Sequence, residues 1–133
     1  MSLTEEERKI IVGLELEKAR NTFGQIEELR KLGYWDTIAN RLYYAVFHAV
    51  SALLIRDSHQ VNTHKGAISA FGLHYIRTGV LPQELGRLYS DLQIMRNNSD
   101  YNCSYDVTRE EIEPKIEQAE RFIARISELV GDI

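Results

Sequence analysis

Two groups of residues have types and spacings suited to chemistry. Arg41, Tyr44, His48 and Ser51 follow one another at steps of three, four and three, which on an α-helix stacks them along one face. The rest of that segment is greasy. A guanidinium there must meet a carboxylate, a carbonyl, water or a ligand, because burying it bare is costly. The group is therefore either a rim with an internal ion pair or one wall of a polar groove. The second group is Arg96-Asn97-Asn98-Ser99-Asp100-Tyr101-Asn102-Cys103-Ser104-Tyr105. A guanidinium in the last turn of a helix is favoured by the dipole alone, and Asn-Asn-Ser-Asp is ordinary helix-stop chemistry. That does not account for two tyrosines at five and nine residues beyond the arginine. Arginine can hold a phosphate with two parallel donors, and tyrosine can donate to a nucleotide or stack on it. The second group is thus either an ordinary helix stop or an anion-facing site of Arg96, Asn97, Asp100, Tyr101 and Tyr105, for which Arg41, Tyr44 and His48 could form a wall.

Other chemistries lack their residues. The chain has no Gly-rich phosphate loop, no His pair at metal-ligand spacing and no nucleophile elbow, so neither a metal nor a cofactor is expected. His59, His64 and His74 fall in or near a predicted loop, where surface or capping roles are expected. The single cysteine, Cys103, excludes an intramolecular disulfide and a Cys-based zinc site; it is expected to be small filler, half-buried. Sixteen basic against twenty acidic residues leave a net charge of −4, which argues against a general nucleic-acid coat protein. Charge is nevertheless uneven. Residues 1–35 and 106–133 are acidic, whereas 36–105 hold six basic and five acidic residues together with all four histidines.

These residues need elements to position them. The 133 residues, 44% hydrophobic, suit one domain spanning 1–133 with a single core. Val12, Leu16, Ala19, Phe23 and Ile26 form one apolar stripe on a helix that Gly33 closes. Asp36 can cap a second helix, apolar over most of its circumference and so expected at the centre. Asp57 to Asn62 reads as a loop, and Thr63 as the cap of a shorter helix through Ile68, Phe71 and Tyr75 to Gly79. Pro82 opens a fourth helix with Leu85, Leu88, Leu92 and Met95, which the polar run Asn97–Asp100 is expected to break. Thr108 and Glu111 form a capping box for the last; Pro114 implies either a kink or a start near Glu113. No stretch alternates long enough for a strand. The expected fold is an all-α, up-and-down bundle of about five helices. No apolar run approaches the ~18 residues of a membrane span, and Thr4-Glu5-Glu6-Glu7 is acidic where a signal peptide would be basic then greasy, so a cytoplasmic protein is expected.

The segment Ala39-Asn40-Arg41-Leu42-Tyr43-Tyr44-Ala45-Val46-Phe47-His48-Ala49, followed by Arg96-x-x-x-Asp100-Tyr101 and by Ala119-x-x-Phe122-Ile123, resembles the HEPN superfamily, small helical domains of prokaryotic toxin–antitoxin and nucleotidyltransferase operons. The similarity runs from about Glu15 to Leu129. It implies a homodimer partnered by a minimal nucleotidyltransferase, and a site facing RNA or a nucleotide. The family's catalytic signature is an arginine, four to six variable residues and a histidine, by which paired copies cleave RNA. Here Arg96 is present, Tyr101 stands where the shortest form has histidine, and no histidine follows His74. A phenol with a pKa of about 10 is a poor general base at neutral pH, so RNase activity is expected to be weak or absent. A non-catalytic nucleotide- or RNA-binding half of a two-gene module is the leading expectation. The alternatives are a metal-independent endoribonuclease, in which Arg96 works with Tyr101 or an imported His48, and a helical interaction domain without a ligand.

Overall fold

The computed structural model describes residues 3–131. Among these every regular element is helical. Helix α1 (Glu5–Phe23) starts at a reciprocal cap: Glu7 N–H donates to Thr4 Oγ1 at 3.1 Å, and Thr4 N–H donates to Glu7 Oε1 at 2.8 Å. The expected first helix is interrupted at Gly24 and Gln25. There Gln25 N–H bonds to Thr22 O, a tightened closing turn, before α2 (Ile26–Leu32) resumes. The apolar stripe passes through the break, since Ala19 and Ile26 are both buried. Gly33, at φ 73°, ends α2 in the left-handed conformation that glycine adopts without strain.

Helix α3 (Trp35–Arg56) is the centre of the bundle, and all the other helices pack on it. Twelve of its residues are buried, among them Leu42, Tyr43, Val46, Val50 and Leu53. By length and composition α3 is apolar enough to cross a membrane, contrary to the sequence expectation; most of that apolar surface lies inside the bundle. Asp36 is not its cap. Tyr34 occupies that position, and Asp36 Oδ1 instead accepts from Val107 N–H at 2.9 Å, tying the start of α3 to the loop before the last helix.

Thr63 caps α4 (His64–Phe71) by accepting from Gly66 N–H at 2.8 Å. The helix expected to reach Gly79 changes register after Phe71 into one π-helical turn, Gly72–Ile76, which leaves both Phe71 and Tyr75 in the core. Helix α5 (Gln83–Tyr101) follows Pro82 and does not stop at Asn97. Asp100 is engaged by Arg96 at 3.7 Å and by Asn40 at 3.3 Å, contacts that hold the polar turn helical as far as Tyr101. Helix α6 (Arg109–Val130) begins at the Thr108–Glu111 capping box rather than near Glu113, with Pro114 inside its second turn. Pro114 leaves the Glu110 carbonyl without its intrahelical donor. Ile112, Ala119, Phe122, Ile123 and Ile126 face the core. The far end of α3 is fastened as well: Arg56 grips Asp57 through two bonds (2.8 and 3.1 Å) and donates to Leu129 O, while Tyr75 Oη donates to Asp57 at 2.6 Å.

Candidate functional site

Arg96 sits on α5 where that helix crosses the first half of α3. Because the helix continues to Tyr101, Arg96 lies more than a turn before its end, and the helix dipole does not explain its placement. The residue is 7% exposed, and its Nε is buried without a hydrogen-bond partner among the described residues. Its guanidinium carbon lies 4.8 Å from the centre of the Tyr43 ring and 5.6 Å from that of Tyr44. A cation over two aromatic faces is attracted by their quadrupoles. Among the described residues its only carboxylate is that of Asp100, at 3.7 Å, longer than a charge-assisted hydrogen bond. The arginine is thus fixed by rings and leaves donor capacity unspent.

The wall expected from α3 is present. Arg41 lies 5.5 Å from the Tyr44 ring, so two guanidiniums flank one tyrosine. Arg41 is steadied by its neighbour: both Nε and Nη2 donate to Asn40 Oδ1, at 3.0 and 2.6 Å. Asn40 Nδ2 in turn donates to Asp100, so Arg41, Asn40, Asp100 and Arg96 form a continuous polar chain. His48 Nδ1 donates to Glu15 Oε1 on α1 at 2.9 Å, and Ser51 is buried one turn further along.

Three members of the neighbourhood were not singled out from the sequence. Glu15 orients His48. Tyr43 underlies Arg96. His64, the first residue of α4, meets Tyr43 Oη through Nδ1 at 2.8 Å and lies 4.5 Å from the Phe47 ring and 5.7 Å from the Tyr44 ring. It is half-exposed, at the edge of this aromatic cluster. Burial pushes its pKa below the usual histidine value, and the positive Arg96 and nearby His48 push in the same direction. His64 thus brings an imidazole from α4 to the tyrosines on which Arg96 rests. No spacing rule could have found it, because α3 and α4 meet through a loop of irregular backbone.

The remaining candidates stand apart. Tyr101 ends α5 and is 79% exposed, and Asn97 is exposed one turn earlier. Tyr105 turns to α6, where its hydroxyl donates to Glu111 at 3.3 Å; burial raises its pKa, with the Glu111 carboxylate adding to the effect. Cys103 is exposed, not half-buried as expected, because the loop after α5 lifts it off the bundle. Among the described residues no three His, Cys, Asp or Glu side chains converge as metal ligands would.

An all-helical bundle with an arginine clasped by two tyrosines of its central helix defines a class of small helical domains. The HEPN domain model matches residues 13–129, and the chain belongs to the HEPN domain family. It is similar to a UPF0332 protein of Thermotoga maritima, 30% identical over 127 residues and 96% of both chains. It is also similar to two Methanocaldococcus jannaschii proteins named "Putative toxin MJ0605" and "Putative toxin MJ0142". The first is 35% identical over 75% of this chain and 73% of that protein; the second is 27% identical over 81% and 74%.

Proposed function

We propose that this HEPN domain is the nucleotide- or RNA-binding component of a two-gene, toxin–antitoxin-like module whose other product is a minimal nucleotidyltransferase. The observation that carries the binding reading is Arg96: a buried guanidinium, oriented by Tyr43 and Tyr44, with an unpartnered Nε and a single carboxylate 3.7 Å away. A phosphate oxygen would take the terminal nitrogens of Arg96, which make no hydrogen bond among the described residues, and Arg41, beside the same Tyr44 ring, would supply a second cation. The names of the two archaeal relatives agree with a toxin-like role.

The test is one mutant measured twice. Replacing Arg96 by alanine should cost about 1.5–3 kcal/mol of RNA or nucleotide affinity, near tenfold to a hundredfold. Arg109→Ala, an exposed arginine paired with Glu113, should leave that affinity unchanged. Equal losses in both variants would indicate diffuse electrostatics. A large fall in melting temperature for Arg96→Ala with unchanged affinity would make Arg96 structural.

His64 favours a second reading, a metal-independent endoribonuclease. In the tautomer that donates Nδ1–H to Tyr43 Oη, Nε2 carries a free lone pair, and a lowered pKa keeps it available at neutral pH. Cleavage of unstructured RNA in EDTA, abolished by both Arg96→Ala and His64→Ala, would establish that reading over the binding one.

A further inference from the structure

We propose that the cavity beside His64 receives a nucleobase, guanine in preference to the others, from the nucleotide whose phosphate Arg96 holds; this rests on the phosphate-binding role of Arg96 proposed above. The cavity, about 360 Å³, lies between α1, α3 and the loop leading to α4, and its lining includes Glu15, Phe47, Ser51, Gln60, Asn62 and His64. That is the size range of small-molecule sites. Phe47 and His64, with ring centres 4.5 Å apart, give it an aromatic wall. Unpaired bases are recognised by stacking on such rings and by hydrogen bonds to the Watson–Crick edge.

Glu15 reads that edge. One carboxylate oxygen accepts from His48 Nδ1, which fixes the group, and the other has no hydrogen-bond partner among the described residues. A carboxylate only accepts. Guanine is the one base whose Watson–Crick edge sets two N–H donors side by side. Adenine and cytosine place an acceptor beside their amino group, and uracil flanks its imino group with carbonyls; each would set oxygen or nitrogen lone pairs against the carboxylate. His64, which lines the cavity, also packs near the Tyr44 ring on which Arg96 rests. The Tyr44 ring lies 5.7 Å from His64 and 5.6 Å from the Arg96 guanidinium, so the width of one aromatic side chain separates base wall from phosphate donor, which a ribose can bridge.

Calorimetric titration of the full chain with GMP, UMP, guanosine and inorganic phosphate tests this. GMP should bind about tenfold or more tighter than UMP, the discrimination of a good two-donor base contact. Glu15→Gln should erase the preference while sparing phosphate binding, and Phe47→Leu should weaken both nucleotides. Arg96→Ala should weaken GMP and phosphate but leave guanosine unchanged. Equal GMP and UMP affinities, with binding of both still lost in Arg96→Ala, would overturn the base pocket and leave the phosphate role standing. GMP and phosphate affinities unchanged in Arg96→Ala, with the guanine preference intact, would overturn the phosphate role instead.

Discussion

Two buried tyrosines on one bundle illustrate how differently a hydroxyl can act. The Tyr75 hydroxyl is spent on Asp57 and on the Leu53 carbonyl, whereas the Tyr89 hydroxyl is buried without a partner. Burial pushes both phenols well above their ordinary pKa, with the Asp57 hydrogen bond contributing for Tyr75. An orphaned polar group carries its desolvation cost uncompensated. Tyr89→Phe should therefore melt at the same temperature as the parent or higher, and Tyr75→Phe should lose about 1–3 kcal/mol; a drop for Tyr89→Phe in a thermal scan would point to an unrecognised partner. His64 gives a pH dependence with a definite sign. Its folded pKa lies below the unfolded value of 6.5, so below that value the unfolded chain binds the extra proton first. Stability is then fully present above the unfolded pKa and falls as the pH descends toward the folded one. Melting temperatures between pH 7.5 and 5 should decline less steeply in His64→Gln than in the parent chain, and parallel curves would remove His64 as the titrating group.

At the level of elements, the side chain of Asp36 replaces an expected cap by a long-range tether. Val107 N–H is its donor, and Val107 is buried. Asp36→Ala should orphan that amide and cost about 1–3 kcal/mol by denaturant titration, against a few tenths if the residue were only a surface charge at a helix start. The same residue shows where the sequence stops being legible. Apolar steps of three and four found α3, α5 and α6, because burying a stripe is a local property of a helix. Local pattern also suggested that Asp36 caps a helix and that Asn97–Asp100 ends one, yet residues far along the chain overrode both: Val107 captures Asp36, and Asn40 holds Asp100. The site divides the same way. Arg41, Tyr44 and His48 were visible as one helical face. Glu15 and His64 come from other helices, and only packing against α3 brings Glu15 to His48 and His64 to Tyr43 and Tyr44. The break at Gly24 and the π-helical turn at Gly72 left the apolar pattern intact, so periodicity could not reveal them.

For the molecule as a whole, the outer face of α5 is unfinished. Ile94, Asn97 and Tyr101 are exposed at steps of three and four, a stripe that is apolar at both ends, with Ile94 58% and Tyr101 79% exposed. A second copy docking there would hide both side chains, as closed twofold association requires of a self-complementary patch. Light scattering should give about twice the 15.4 kDa chain mass, and Tyr101→Glu should return it to one. A single-chain mass across micromolar concentrations would exclude the dimer. The central position of α3 has a further consequence. Trp35, the only tryptophan, stands at its first turn with the Arg109 guanidinium 5.8 Å above the ring, so its fluorescence registers the docking of α6 on α3. Since α1, α2, α4, α5 and α6 all pack on α3, the bundle is expected to unfold as one unit. Unfolding followed at this one indole and unfolding followed by circular dichroism over all the helices should trace the same curve, the signature of a single cooperative unit.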